Sequence, residues 1–435
     1  MKGLLFTYVL TYGGSLVSLF RPYYGLLIYI CFAIIKPDAL WFWSVPAGSY
    51  SRIIAISLLI GWGLNGFGDW RFGRAKGIVV CLLMYLIWAV ALVPRSVDND
   101  LAMSFIEIHA KIVLPFLVGM TLINSVQQLK QLAWVIALSN GYLAYDFNNS
   151  FYEGFNRLQE LGFGGMDNNT VAITLDAAIG LIIFLGLHCV GWWRKCLLFG
   201  SGTLAINAIM FSFSRGGLLS LILTGAVAFL LIRKQPKHYL ALIAVVLIGA
   251  RLAGPQVLER FATSFVDEKE RDRSSQLRVL HWKAIGDYMQ REPWGAGPNQ
   301  WRFVSPTYGL PGMEAHSHWL QTGAELGVPG LLALLGFFGL CLVRLWPLAR
   351  ERIPVSDPWL IYLARMVVAS LAGFIFSAQF VSVQGVEIPF YIVLLGAGTL
   401  KLASVPASTS GFVPAAATVP LRLASTGWSR KPLLS

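Results

Sequence analysis

The sequence predicts an all-α polytopic membrane protein of about twelve transmembrane helices with one large structured periplasmic loop. Three observations predict it. Hydrophobic residues make up 56% of the 435, and charged residues only 13%, about half the share of a soluble domain. The apolar residues fall in runs of spanning length, about 20 residues. The basic residues recur between alternate runs, as they do when Lys and Arg hold loops in the cytoplasm.

Taken in order, the predicted spans are Leu4–Phe20, Ile53–Phe67, Ile78–Val93, Phe105–Ile123, Leu132–Tyr145, Val171–Val190, Cys196–Phe213, Leu218–Ile232, Tyr239–Leu252, Trp319–Trp346, Trp359–Phe380 and Pro389–Leu402. The N-terminal run follows Lys2 without a small-residue cleavage site, so it reads as a retained first span. Tyr23–Ile35 is a further apolar run, short and followed by Lys36-Pro37. It reads as a partial or re-entrant segment. Fifteen Trp and fifteen Tyr suit interfacial belts.

If Tyr23–Ile35 does not cross, the basic groups stay in phase. Arg71, Arg74 and Lys76 then share the cytoplasmic side with Arg194 and Lys195, with Arg233, Lys234 and Lys237, and with Arg344, Arg350 and Arg352. Both termini fall on that side. The net charge of +12 is topological on this reading and calls for no nucleic acid; a smaller part attracts phosphate-bearing lipids. The domain reading is residues 1–252, N-terminal helices with a periplasmic loop near 146–170; 253–318, the large periplasmic loop; 319–402, C-terminal helices; and 403–435, a cytoplasmic tail rich in Ser, Pro and Ala.

Within 253–318, eight Lys/Arg balance eight Asp/Glu. With helical periodicity over Gln276–Met289, that balance predicts a folded loop and not a linker. The five cysteines lie in or beside apolar runs without metal-ligand spacing and read as small membrane-facing hydrophobes.

Four motifs can carry chemistry. Ser212-Phe213-Ser214-Arg215-Gly216-Gly217 lies between two spans at the periplasmic rim. Its glycines allow close approach and its amides can face a phosphate; a tight turn with a snorkelling Arg is the alternative. In Ser275-Gln276-Leu277-Arg278-Val279-Leu280-His281-Trp282, Arg278 and Trp282 share one helical face. An Arg fork suits a diphosphate, although a salt-bridged helix gives the same pattern. Pro293-Trp294-Gly295-Ala296-Gly297-Pro298-Asn299 follows, and then Ala315-His316-Ser317-His318-Trp319 leads into Glu325-Leu326-Gly327. A rim His can be a general base; an interfacial His pair is the alternative, and nothing else offers metal-ligand spacing. The fourth stretch, Phe155-Asn156-Arg157-Leu158 with Gly162-Phe163-Gly164-Gly165-Met166-Asp167-Asn168-Asn169, suits a loop around a polar ligand or a plain connector. Glu107 and Lys111 read as a self-neutralising pair; Asp176 and Glu325 line a cavity or pair internally. There is no P-loop, Rossmann fingerprint or GxSxG elbow.

The order of these motifs resembles the bacterial O-antigen ligase and polymerase superfamily over most of the chain, most sharply from Asn156 to Gly330. Arg21-Pro22-Tyr23-Tyr24-Gly25 and Asp167-Asn168-Asn169 look more like its ligase branch, including the O-glycosylation ligases beside exosortase systems. The resemblance implies a helical membrane core with a structured periplasmic loop, in the inner membrane. It also implies transfer of O-antigen glycan from undecaprenyl diphosphate to the lipid A-core acceptor, with inversion and without cofactor or metal. It assigns His316 as the catalytic loop His, and Arg278, Arg215 and Arg157 as diphosphate-binding residues. Trp282, Asn169 and His318 are supporting candidates; His318 sits where relatives commonly carry other residues and reads as an interfacial residue beside Trp319. An O-antigen polymerase, a protein O-oligosaccharyltransferase and, from another class, a glycolipid flippase or transporter remain as alternatives.

Overall fold

The computed structural model describes residues 2–240, 242–244, 247, 273–383 and 385–404. The predicted span Tyr239–Leu252 falls largely outside these residues, as do 253–272 and the tail from 405. The helices are α1 (Lys2–Phe20), α2 (Pro22–Leu40), α3 (Tyr50–Leu64), α4 (Lys76–Leu92), α5 (Asn99–Leu122), α6 (Val126–Tyr152), α7 (Asn168–His188), α8 (Trp192–Phe211), α9 (Arg215–Leu231), α10 (Arg273–Arg291), α11 (His318–Ala349), α12 (Trp359–Ser377) and α13 (Ile388–Leu402). Among the described residues no strand occurs, only one isolated bridge between Phe163 and Met166. Among the described residues seven helices are long and apolar enough to cross a membrane, and three shorter ones (α3, α9, α13) are largely apolar. The protein is a multi-pass, all-α membrane protein.

Helix starts follow side-chain capping. Asp98, Ser125, Asp167, Ser214 and Ser317 each accept a backbone N–H from the first turn of α5, α6, α7, α9 and α11, satisfying donors that lipid cannot. Inside the bundle, small residues let helices touch. Gly180 of α7 meets the Ser370 backbone of α12, and Gly25 of α2 meets Ser18 of α1, the close approach expected where water supplies no driving force. Helix α7 is the central element, with nearly all of its side chains buried. Its Asp176 accepts hydrogen bonds from Ser220 and, at 2.8 Å, from Thr224 of α9, the internal pairing expected of it. Glu107 meets Lys111 as predicted, at 2.8 Å, and Arg52 joins at the same distance. The five cysteines are unpaired; Cys189 and Cys341 are buried within the protein and not lipid-facing.

The two faces of the bundle are marked by contacts between distant segments. At one, Asp69 donates to Thr121, Lys401 donates to Met120 and Asn124, and Arg344 reaches the Arg74 carbonyl; Arg233 and Arg365 share Glu351. These contacts collect most of the basic loops on one side. At the other face Arg95 pairs with Glu292, and the Asp98 amide donates to Gln300, which places the described part of the large loop there.

One expectation is corrected. Tyr23–Ile35 is not a partial insertion. Helix α2, Pro22–Leu40, runs alongside α6 for its whole length: Tyr23 Oη donates to the Gln128 carbonyl at one end, and Ala39 and Leu40 accept from Arg157 at the other. Helix α1 folds back antiparallel to it, with Ser18 against Gly25, Gly14 against Ile28 and Gly3 against Trp41. The left-handed Lys36 (φ 43) lets the chain continue past Ile35 into Pro37–Leu40, which the Lys-Pro signal had suggested would end the segment. Lys2 and Gly3 therefore lie at the large-loop face, and the end of α13 lies at the basic face. The start of α1 and the end of α13 thus lie at opposite faces, and the tail expected on the cytoplasmic side lies from 405 outside the described residues.

Candidate functional site

Three segments converge at the large-loop face. The first is the loop between α6 and α7. Asn156 donates to the Phe211 carbonyl and Asn168 to the Ser212 carbonyl, each at 2.8 Å. The two asparagines thereby tie this loop to the end of α8 and satisfy carbonyls that the helix leaves open. The second is the Ser-Phe-Ser-Arg-Gly-Gly turn. Phe213 is left-handed at φ 55, Ser214 caps α9 by accepting from Gly217 at 3.0 Å, and Arg215 is the first helical residue. Gly216 abuts Phe380.

The third is the large loop. Helix α10 carries Arg278 and Trp282. The Trp282 ring lies 6.3 Å from Phe380, and its Nε1 donates to the Ala315 carbonyl at 3.0 Å. The Ala315 amide donates to Gln321 Oε1 at 3.2 Å. Ser317 caps α11. His316 is thus bracketed by fixed neighbours and held in the left-handed region at φ 50, an uncommon conformation that persists where surroundings impose it and that clusters at functional sites. Half-buried, it lies within electrostatic reach of Arg278 and His281 of α10 and of Asp167 at the start of α7. Burial, then the Arg278 charge, push its pKa below the ordinary imidazole value, while Asp167 opposes them. Burial and the Arg278 charge both favour the uncharged form of the ring.

The sequence-predicted residues do not all fall together. His316, Arg278 and Trp282 meet here, next to the turn that begins Arg215. Asn169 lies in the same patch, with its amide donating to Asp167 Oδ2 at 3.1 Å. Arg157 is elsewhere. It is buried, with its guanidinium donating to the carbonyls of Ala39 and Leu40 and to Asp146 at 3.3 Å, between the rings of Phe42 and Phe163. These contacts make it a latch between α2, α6 and the loop, not a residue presented to a ligand. His318 is not interfacial either. It is buried, donates its amide to Ala378 at 2.8 Å, and lines a small internal cavity with Tyr85, His109, Gln321, Glu325 and Ser382. Becoming helical at residue 318 turns the second His inward, away from the first.

Sequence reasoning missed the clamp beneath the site. Glu325 accepts from the amides of Asn299 and Trp301 and from Gln321 Nε2, at 3.1, 3.4 and 3.0 Å. Ala296 and Gly297 donate to the carbonyls of Ala324 and Glu325. Gly327, at φ 66, kinks α11 against Pro293 and Trp294. The Gly-x-Gly-x-Asn and Glu-Leu-Gly motifs are therefore one structural joint that fixes the large loop on the bundle. His281 was also passed over. Its Nδ1 accepts from Trp301 at 3.2 Å, so it belongs to the packing of the loop. Glu314 was passed over too: burial raises its pKa, with Arg302 opposing.

Among the described residues no group of three His, Cys, Asp or Glu is placed to hold a metal ion. Residues 200–335, from α8 through the turn and the large loop into α11, match a family model described as O-antigen ligase. This stretch is similar to the O-antigen ligase family, and the match covers about a third of the chain. No curated protein matches it. The match supports a glycosyltransferase-type enzyme of lipopolysaccharide biosynthesis that acts on lipid-linked glycans. The matched segment contains Arg215, Arg278, Trp282 and His316, and leaves out Arg157 and Asn169.

Proposed function

We propose that this protein is an O-antigen ligase of the inner membrane. It transfers O-antigen polysaccharide from undecaprenyl diphosphate to lipid A-core at the periplasmic face. The observation that carries the reading is the meeting of His316 with Arg278 beside the turn that begins Arg215. The acceptor hydroxyl oxygen attacks the anomeric carbon as the bond from that carbon to the diphosphate oxygen breaks. His316 takes the hydroxyl proton, and the single displacement inverts the anomeric centre. Negative charge develops on the leaving diphosphate, where Arg215 and Arg278 stabilise it as bidentate donors. The energy resides in the diphosphate linkage, so no nucleotide is consumed. Arg157 supports the site by holding its loop and is withdrawn from the diphosphate clamp.

The test is transfer from purified lipid-linked glycan to purified lipid A-core, with EDTA present. Arg215→Ala and Arg278→Ala should each raise the barrier by ~2–4 kcal/mol, as loss of an oxyanion donor does, and Lys should rescue only in part because it lacks the planar fork. Full activity in both Ala variants overturns the clamp. A deletion strain should accumulate long lipid-linked polymer and leave bare core; single-repeat caps would instead make the chain a polymerase.

A further inference from the structure

A second small cavity lies at the large-loop face, beside the candidate site and apart from it. It is enclosed by the end of α2, the middle of α6, the first turns of α7 and the start of α13. Phe163 and Met166, joined by their backbone bridge, form part of its wall. Two residues further on, Asn168 is bonded to the Ser212 carbonyl. At most about 7 Å of chain therefore separates this wall from the segment tied to the Arg215 turn. Val386 and Glu387 line the cavity too, at the end of the loop that holds Phe380 against Trp282 and Gly216. Three of its polar groups lack hydrogen-bond partners among the described residues. Asn140 is fully buried; its Nδ2 donates to the Ile136 carbonyl at 2.9 Å, which fixes the orientation of the amide, and its Oδ1 accepts nothing. Lys36 and Glu387 are half-buried and form no hydrogen bond or ion pair through their side chains, although Glu387 lies within reach of the Lys36 charge. Most of the remaining wall is apolar, with Ile34, Leu143, Phe163, Val171 and Leu175.

We propose that this cavity is a specificity subsite that reads the N-acetyl group of an amino sugar in one of the two glycans. The inference rests on the ligase reading above, which brings donor and acceptor glycans to this face. A buried acceptor without a partner calls for a donor, and the Lys36 ammonium calls for an acceptor. A phosphate or carboxylate would serve Lys36, but it has no proton for Asn140 and is repelled by Glu387. An ammonium would serve Asn140 and Glu387 but offers nothing to Lys36. A hydroxyl serves both ends and leaves the apolar wall unused. A secondary amide with a short alkyl end meets every group: its N–H donates to Asn140 Oδ1, its carbonyl accepts from Lys36, and its methyl packs against Leu143, Phe163 and Leu175. The cavity is too small for a sugar ring. The ring therefore stays at the mouth, where its hydroxyls can donate to Glu387.

The first readout needs no transfer. In saturation-transfer NMR with the full-length protein in detergent, the acetamido methyl of methyl N-acetylglucosaminide should be the most strongly saturated resonance, and methyl glucoside should show little signal. Asn140→Leu removes the acceptor and Lys36→Met the donor, each with little change in size. Each should weaken binding of the N-acetyl probe about 2- to 10-fold, the share of one net hydrogen bond, at the wild-type Tm. The second readout is transfer with the acetamido group replaced by hydroxyl, first in the donor glycan and then in the core acceptor. The KM of the substrate that supplies the group should rise by about the same factor with kcat unchanged, as for an interaction equal in ground and transition states, and both variants should be indifferent to the swap. The arm that responds identifies which glycan carries the group. An unsaturated methyl, a methyl signal unchanged in both variants, or a KM indifferent to both swaps overturns the proposal. A saturated methyl whose signal both variants weaken, in a protein that transfers nothing from a lipid-linked donor, overturns the ligase reading and leaves the subsite.

Discussion

Replacing Trp282 by Phe tests how strongly the large loop controls the site. Phe keeps an aromatic ring against Phe380 but loses the Nε1–H that donates to the Ala315 carbonyl at 3.0 Å. Ala315 is fully buried, so its carbonyl is left without that donor in a place water does not easily reach. An unsatisfied buried acceptor costs ~1–3 kcal/mol. The peptide that bears this carbonyl leads directly into His316, whose left-handed backbone (φ 50) depends on its surroundings. The protein relieves the cost by letting this peptide turn, and the His316 ring moves with it. If the whole cost appears in the transition state, kcat falls by roughly 5- to 150-fold, at 1.36 kcal/mol per tenfold. Donor KM should stay within about twofold, because an interaction made only in the transition state leaves ground-state binding alone. Single-turnover transfer at saturating donor, with thermal unfolding in the same detergent, measures both. A wild-type rate with a wild-type Tm would refute the reasoning.

Other perturbations follow from the same contacts. Arg157→Ala should lower stability by about 3–5 kcal/mol by leaving Asp146 and two carbonyls uncompensated; a double-mutant cycle with Asp146→Asn should show strong coupling, and an unchanged Tm with a raised donor KM would instead return Arg157 to the diphosphate. His316→Ala should cut transfer ~10²–10⁴-fold while donor binding survives. His318→Ala should mainly lower Tm, because its ring packs in an internal cavity; a normally stable but inactive His318→Ala beside an active His316→Ala would reverse the assignment. Cysteines at Lys2 and Arg74, in a background without the five native ones, should label from opposite sides of the membrane, and labelling from one side would refute the crossing of α2.

The sequence by itself determined the elements. Apolar runs set nine of the helices to within four residues at each end, and α5 and α6 extend six or seven residues beyond their runs, because backbone in lipid must satisfy its own hydrogen bonds and a run of that length has one way to do so. The loop helix predicted over Gln276–Met289 appears as Arg273–Arg291, since amphipathic periodicity is local information. The order of the motifs was likewise enough to point to the O-antigen ligase family, whose model matches residues 200–335. Tertiary structure decided which polar residues face a ligand. Arg157 and Arg278 are both loop arginines in promising motifs, yet one is sealed among Ala39, Leu40 and Asp146 while the other neighbours His316. His316 and His318 are two residues apart, and only the start of α11 sends one inward. Glu325, read as a cavity residue or an internal pair, anchors the loop through the amides of Asn299 and Trp301. The crossing of α2 was undecided too, because a short run followed by Lys-Pro looks the same in sequence whether or not a neighbour such as α6 extends it. Each of these outcomes depends on hydrogen-bond partners far away along the chain. Periodicity and composition carry no record of such pairings; only the packed bundle brings them together.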